Sequence, residues 1–339
     1  MSLPPQVRLD TPDWFCQQLD LPTRRFLLRP MTADSYRRSL FLDERIAAPS
    51  AEQQIVAMAA CREPLAEVEV LPALWVFHHG HCGSTYLSRM LEQLSPLLAL
   101  REPMTLRALA VFQRDLASPL SLMDPADFDG HLDQQLRLLT RRYEPSLPTL
   151  VKATSDCGRL AGPLLASHPE HRALRVGIPL ESYLQTMLRS ELRRQELYHF
   201  SQTRLADLQA LGLGPSVRLY QLTPGELAAM SWLAVNRSLD AAEAELTSAA
   251  PGERVLSVDF ERFLAEPVTQ LARIAAFYGI TPSEEQIEQA ARGEIAQGYS
   301  KDPAMRYDRS SRQAELEQSA KEHTDEIQRG LRWAEAFNA

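Results

Sequence analysis

Three sets of residues, far apart along a chain of 339, are of types that could do chemistry. The first is Gly80-His81-Cys82-Gly83-Ser84-Thr85-Tyr86. Its glycines can adopt φ > 0 and bring backbone close to a ligand, and Ser84 and Thr85 are good helix N-caps. The free N–H groups of a helix start and of the loop before it converge on one point, where the helix dipole favours an anion, usually a phosphate. The same residues also suit a plain turn in which Ser84 caps the helix. The second set is Glu102-Pro103, whose carboxylate is either a proton acceptor or a surface cap on the next helix. The third is Lys152, which either faces a ligand or ends a strand in solvent.

The elements that must position these groups follow from the pattern around them. Leu74 to Phe77 is a bulky, uncharged run suited to a strand buried on both faces of a parallel sheet. Behind the glycines, Leu87, Met90, Leu91 and Leu94 fall at i, i+3, i+4 and i+7, one stripe of an amphipathic helix. The order is strand, glycine loop, helix. Pro96 breaks that helix, and Leu97 to Leu100 can form a second strand that delivers Glu102 to the edge holding the loop. Helices over Leu106–Leu116 and Phe128–Tyr143 precede a third strand, Thr149 to Val151, which ends in Lys152. In doubly wound sheets ligands bind at the carboxyl ends of strands, so both charges are candidates for a site there. Ala173 to Ile178 is the next strand, with Pro179 at the first position of a helix through Arg194. A long helix over Glu226–Leu246, a last strand from Arg254 to Phe260 and a helix closed by Gly279 complete the pattern.

The fold expected is α/β, three-layer and doubly wound, with a mostly parallel sheet carrying a P-loop-like strand-loop-helix. Residues 71–339 would form this domain. Residues 1–70 read as a helical N-terminal extension, with helices near Asp34–Ile46 and Ala51–Cys61 and no strand.

Two familiar phosphate loops do not match. A Walker A loop needs Lys after its last Gly, where this chain has Ser84, and the dinucleotide pattern G-x-G-x-x-G is absent. His81-Cys82-Gly83-Ser84-Thr85 instead resembles the 5′-phosphosulfate loop of the sulfotransferase family, close to the form seen in bacterial members. The usual Lys or Arg is replaced by His81, a weaker and pH-dependent cation. Glu102-Pro103 resembles the family's Glu-Pro pair, and the block over residues 254–280 is similar to a structural segment of the family.

The resemblance implies a sulfotransferase that uses 3′-phosphoadenosine 5′-phosphosulfate as co-substrate and requires no metal. Gly80, His81, Cys82, Gly83, Ser84, Thr85 and Tyr86 would hold the 5′-phosphate. Glu102 would deprotonate an acceptor hydroxyl or amine, and Lys152 and His81 would offset charge on the bridging oxygen. For the 3′-phosphate the family supplies an Arg and, eight residues later, a Ser. Here Gly177 and Gln185 stand at those places, so Thr186 and Arg189, or Ser190, Arg193 and Arg194 beyond them, would have to serve. A basic tail segment with Lys301, Arg306, Arg309 and Arg312 corresponds to one that family members fold over the nucleotide. Two other readings stay open: an ATP-dependent, kinase-like phosphotransferase, and an inactive nucleotide- or anion-binding protein.

Composition narrows the field. The chain is 45% apolar and 24% charged, as globular domains are. A net charge of −8 argues against a nucleic-acid partner, whose footprint is basic. The apolar runs are shorter than the roughly 20 residues that span a bilayer, and the start lacks an export signal. Cys16, Cys61, Cys82 and Cys157 are widely spaced, as reduced thiols in a cytoplasm would be. His168-Pro169-Glu170-His171, together with His78, His79 and His81, matches no metal-ligand spacing. The expected partner is a small-molecule or glycan acceptor, and neither its identity nor the oligomeric state is written in the sequence.

Overall fold

The computed structural model describes residues 3–48, 52–119, 121–249, 253–293, 295 and 309–338. Among them, β1 (Trp14–Asp20), β2 (Arg25–Pro30) and β3 (Gln54–Ala57) form an antiparallel sheet in the order β1-β2-β3. A second sheet contains β4 (Ala73–His78), β5 (Ala99–Arg101), β6 (Thr149–Lys152), β7 (Arg172–Gly177) and β8 (Val255–Asp259). Its order is β5-β6-β4-β7-β8, with every pairing parallel. The chain leaves β4 towards one side of the sheet and β7 towards the other. Such a reversal opens a crevice at the carboxyl ends of the strands.

Each side chain of β4 is buried, and they part by alternation into two cores. Leu74 and Val76 join Leu150, Leu174 and Val176 on one face, beneath the helices Ser84–Leu94, Leu180–Leu188 and Pro267–Tyr278. Trp75 and Phe77 point the other way, with Val151 and Leu100, beneath Met104–Asp115, Phe128–Leu139 and Ala161–Ala166. A strand with period-two side chains can be apolar at every position only between two such layers. The helix Pro224–Ala249 serves both, through Leu227, Met230 and Leu233 on one side and Val235, Leu239 and Leu246 on the other.

The N-terminal region corrects the sequence reading, because it is not a helical extension. Three strands occupy it, and its helices are short, Ala33–Arg38 and Met58–Ala66. The residues expected in a helix from Ala51 include β3. Phe15, Phe26, Leu28 and Tyr36 join the core cluster that contains Trp75 and Phe77. The second difference is a break after β7. Pro179 caps a helix that ends at Leu188, and a new one runs over Glu191–Ala210.

Candidate active site

At the carboxyl end of β4 the chain turns a corner through backbone that L-residues seldom adopt. Gly80, His81 and Gly83 have φ of 82°, 50° and 77°. Gly83, not Ser84, occupies the N-cap of helix Ser84–Leu94, and Leu87 N–H donates to its carbonyl at 3.0 Å. A Cβ at Gly83 would lie 2.0 Å from the Phe260 ring, so space as well as conformation demands glycine there. The first-turn amides of the helix and those of the corner thus lie at one positive dipole end.

Two neutral histidines fasten this corner to the strands beside it. Gly80 N–H donates to His78 Nδ1 at 3.0 Å, so the Nε2–H of the ring faces the Ala153 carbonyl, also 3.0 Å away, beyond β6. Ile178 N–H donates to His79 Nε2 at 3.0 Å, which leaves Nδ1–H for the Gly80 carbonyl at 3.2 Å. Burial pushes the His79 imidazole down to about 4, consistent with that neutral tautomer. Cys82 and Tyr86 turn inward. The Cys82 thiol donates to the Val176 carbonyl at 3.3 Å and burial pushes it up to about 11. Tyr86 packs edge-on against Phe260 and Phe263. Ser84 and Thr85 are buried in the first turn.

Glu102 and Lys152 arrive at the same edge and meet. Lys152 Nζ forms an ion pair with Glu102 Oε1; the lysine side chain is 1% exposed and the glutamate 24%. Strand register explains the meeting, since Arg101 pairs with Lys152 across β5 and β6, and Val76 pairs with Lys152 across β4 and β6. The Glu102 amide donates to the Lys152 carbonyl at 2.6 Å, and the Ala153 amide donates to Val76 at 3.1 Å. Glu102 has φ of 58°, and the other described non-glycine residues with positive φ are Arg24 and His81. Two of these three strained positions therefore carry side chains singled out for chemistry, and stored backbone strain is often found at functional sites. The neighbouring Arg101 is wholly buried. It is ion-paired with Glu92 and donates to the Ser39 carbonyl at 3.0 Å, holding the N-terminal region against this edge.

The helix Glu191–Ala210 brings residues that sequence reasoning missed. Glu196 meets His81, with Oε2 at 2.8 Å and Oε1 at 3.0 Å from Nε2. Arg204 is buried, donates to the Ser155 carbonyl and hydroxyl at 3.1 Å each, and pairs with Asp156 at 3.0 Å. Ser155 in turn lies 3.8 Å from the place a Cβ on Gly80 would take. Glu196, Phe200 and Arg204 recur every fourth residue, which puts them on one helix face, a spacing that any helix offers and that marks no site by itself. Phe260 left no signal either.

The residues expected around a 3′-phosphate are placed differently. A Cβ on Gly177 would lie 3.0 Å from His79 Nε2, so His79 fills the space where the family's Arg would begin. The Gln185 carbonyl accepts from Ser319 at 2.7 Å. Thr186 is buried, and Arg189 forms an ion pair with Glu315 of helix Arg309–Glu322. Arg194 turns back to Leu188 and Glu191. Lys301 and Arg306 lie outside the described residues. Arg189 is thus engaged by Glu315 and would have to leave it to reach a ligand near residue 177.

Among the described residues, no group of three or more His, Cys, Asp or Glu is gathered as a metal site. The two histidine sets sit at opposite ends of β4. His171 Nδ1 accepts from the Ala73 amide at 3.0 Å, at the start of the strand whose end is His78. At about 3.3 Å per residue that separates them by roughly 16 Å.

No family model matches the sequence, and no curated protein matches it. Solved structures do align with the chain. The sulfotransferase domain from the curacin biosynthetic pathway is 15% identical over 75% of this chain and 98% of its own, with a TM-score of 0.40. The sulfotransferase domain of the Synechococcus PCC 7002 olefin synthase is 14% identical over 75% and 94%, with a TM-score of 0.38. A sulfotransferase from Alicyclobacillus acidocaldarius is 14% identical over 78% and 95%, with a TM-score of 0.36. No described helix is long and apolar enough to cross a membrane.

Proposed function

We propose that the chain is a sulfotransferase, moving a sulfuryl group from 3′-phosphoadenosine 5′-phosphosulfate to a hydroxyl or amine of a small-molecule or glycan acceptor. The observation that carries this reading is the Glu102–Lys152 ion pair at the sheet edge that also holds the glycine corner. In this reading base, cation and anion cradle would surround one point, as an in-line displacement requires.

In this reading the amides of residues 81–86 hold the 5′-phosphate at the helix N-terminus. Glu102 takes the proton of the acceptor as its oxygen or nitrogen bonds to sulfur. The bond from sulfur to the bridging oxygen breaks, and Lys152 and His81 offset the charge left on the phosphate. A sulfuryl group carries less charge than a γ-phosphoryl group, so no divalent cation is needed in principle. The four cysteines are buried free thiols, which fits the cytoplasmic location we assign.

A second reading, a nucleotide or anion binder without turnover, draws on Gly177 and on the Arg189–Glu315 pair. Titration calorimetry with adenosine 3′,5′-bisphosphate and with ATP and Mg²⁺, joined to a turnover assay, separates the possibilities. For Glu102→Gln we expect bisphosphate affinity within about twofold of wild type and turnover lower by about 10²–10⁴-fold. Binding of ATP alone would point to the phosphotransferase. Bisphosphate binding with no turnover on any acceptor, unaffected by Glu102→Gln, would point to the sensor.

A further inference from the structure

His81 is the departure from the family's loop, and the structure gives it a companion. Its Nε2 faces both carboxylate oxygens of Glu196, at 2.8 and 3.0 Å, and the ring leaves a left-handed backbone position, φ 50°. We propose that Glu196 is a positioning residue that keeps His81 doubly protonated, so that the phosphate corner carries a standing positive charge at neutral pH. This deepens the reading above and rests on it only for the identity of the anion.

A nitrogen that faces two carboxylate oxygens must carry a hydrogen, and an adjacent negative charge favours the charged ring. The helix that carries Glu196 is held in place two turns further on. There Arg204 is tied to Ser155 and Asp156, and its guanidinium lies 5.8 Å from the centre of the Phe200 ring. The carboxylate is therefore presented from a clamped element. It is also 39% exposed, so it can yield His81 to an arriving phosphate at modest cost.

His78 and His79 are neutral by their hydrogen bonds, and the His81 charge helps to hold His79 down. Burial keeps the Cys82 thiol protonated. Lys152 is paired with Glu102, and Arg204 with Asp156. The helix also bears Arg193, which has a buried guanidinium nitrogen, and His199, which packs against Phe200.

The test has two arms on the full chain. Imidazole NMR, with His81 assigned through His81→Gln, should show wild-type His81 titrating above the ordinary value of about 6.5, and Glu196→Gln should lower its midpoint by about one pH unit. Equal midpoints in the two proteins would overturn the proposal. If Glu196→Gln fails to fold, a wild-type His81 midpoint at or below about 6.5 overturns it alone.

In the second arm, adenosine 3′,5′-bisphosphate affinity is measured from about pH 6 to about pH 8. Wild type should hold its affinity to a higher pH than Glu196→Gln, whose affinity should fall several-fold across the range. Adding His81→Lys to Glu196→Gln should restore a pH-independent affinity. Tighter binding by Glu196→Gln at every pH would mean that Glu196 only repels the anion, and would sink the proposal. If wild type binds no nucleotide while the ring titrates as expected, the donor assignment fails and the His81–Glu196 pairing stands.

Discussion

Glycine at 83 answers two demands, whereas glycine at 80 answers one. Both positions have φ near 80°, but a Cβ at 83 would collide with the Phe260 ring and one at 80 would meet only Ser155 at 3.8 Å. Gly80→Ala should therefore cost about 1–2 kcal/mol of strain. Gly83→Ala should cost about 2–4 kcal/mol, because ring displacement adds to the strain. Urea denaturation of the two variants checks the order, and equal losses would show that Phe260 yields freely. At this scale the sequence was legible where residue type and strand order coincide: Glu102 and Lys152 were singled out and form an ion pair, and Lys152 ends the strand paired with β4, which leads into the glycines. The role of Ser84 as cap was misplaced by one residue, since a glycine with positive φ took the N-cap. Glu196 was not found because a carboxylate on a polar helix looks the same whether it faces solvent or a loop far away in the chain.

From β4 onward the strands were read correctly, because burial on both sheet faces leaves apolar runs, whereas the helix after Pro179 was carried past its break at Leu188. The N-terminal strands escaped for local reasons. The turn between β1 and β2 uses Arg24 at φ 51° where a hairpin would ordinarily show glycine or asparagine. The register also shifts between Cys16 and Gln18, which breaks the alternation. β3 passes directly into helix Met58–Ala66, so no turn marks its end. What joins this region to the site is Arg101, with Glu92 and the Ser39 carbonyl as partners, while the Leu42 amide donates to the Arg101 carbonyl at 2.8 Å. Arg101→Met should cost about 3–5 kcal/mol, the usual result of leaving a buried partner charge uncompensated. Limited proteolysis should find new cleavage within residues 36–48 before global unfolding. Cleavage confined to other regions would refute the anchoring role.

The molecule as a whole depends on histidines kept neutral at both ends of its central strand. Burial pushes His79 down to about 4 and His171 to about 3. Both folded values lie below the unfolded value of about 6.5, so the unfolded chain binds more protons in the interval and stability falls as pH drops through it. The rings account for losses on the order of 3 kcal/mol for His79 and 5 kcal/mol for His171 between about pH 6.5 and the folded values, and none above about pH 7. Denaturant melts below about pH 6.5 should show this slope in wild type and Glu196→Gln alike, since the His81 pairing adds a slope only near neutral pH. Early protonation of either ring by NMR while the fold remains intact would contradict it.

The left-handed backbone at His81 and Glu102 bears on how this protein would respond to selection for heat resistance alone. Asparagine or glycine at 81 would relieve torsional stress and give up only a part-exposed pairing, so a thermostability screen should enrich them there. Position 102 should resist, because the partner ammonium of its carboxylate is 1% exposed and would be stranded. Relief there should come only with an apolar residue at 152, in the same clone. Hardened descendants would thus lose their histidine first and their base and ammonium together, trading the reaction for robustness in that order.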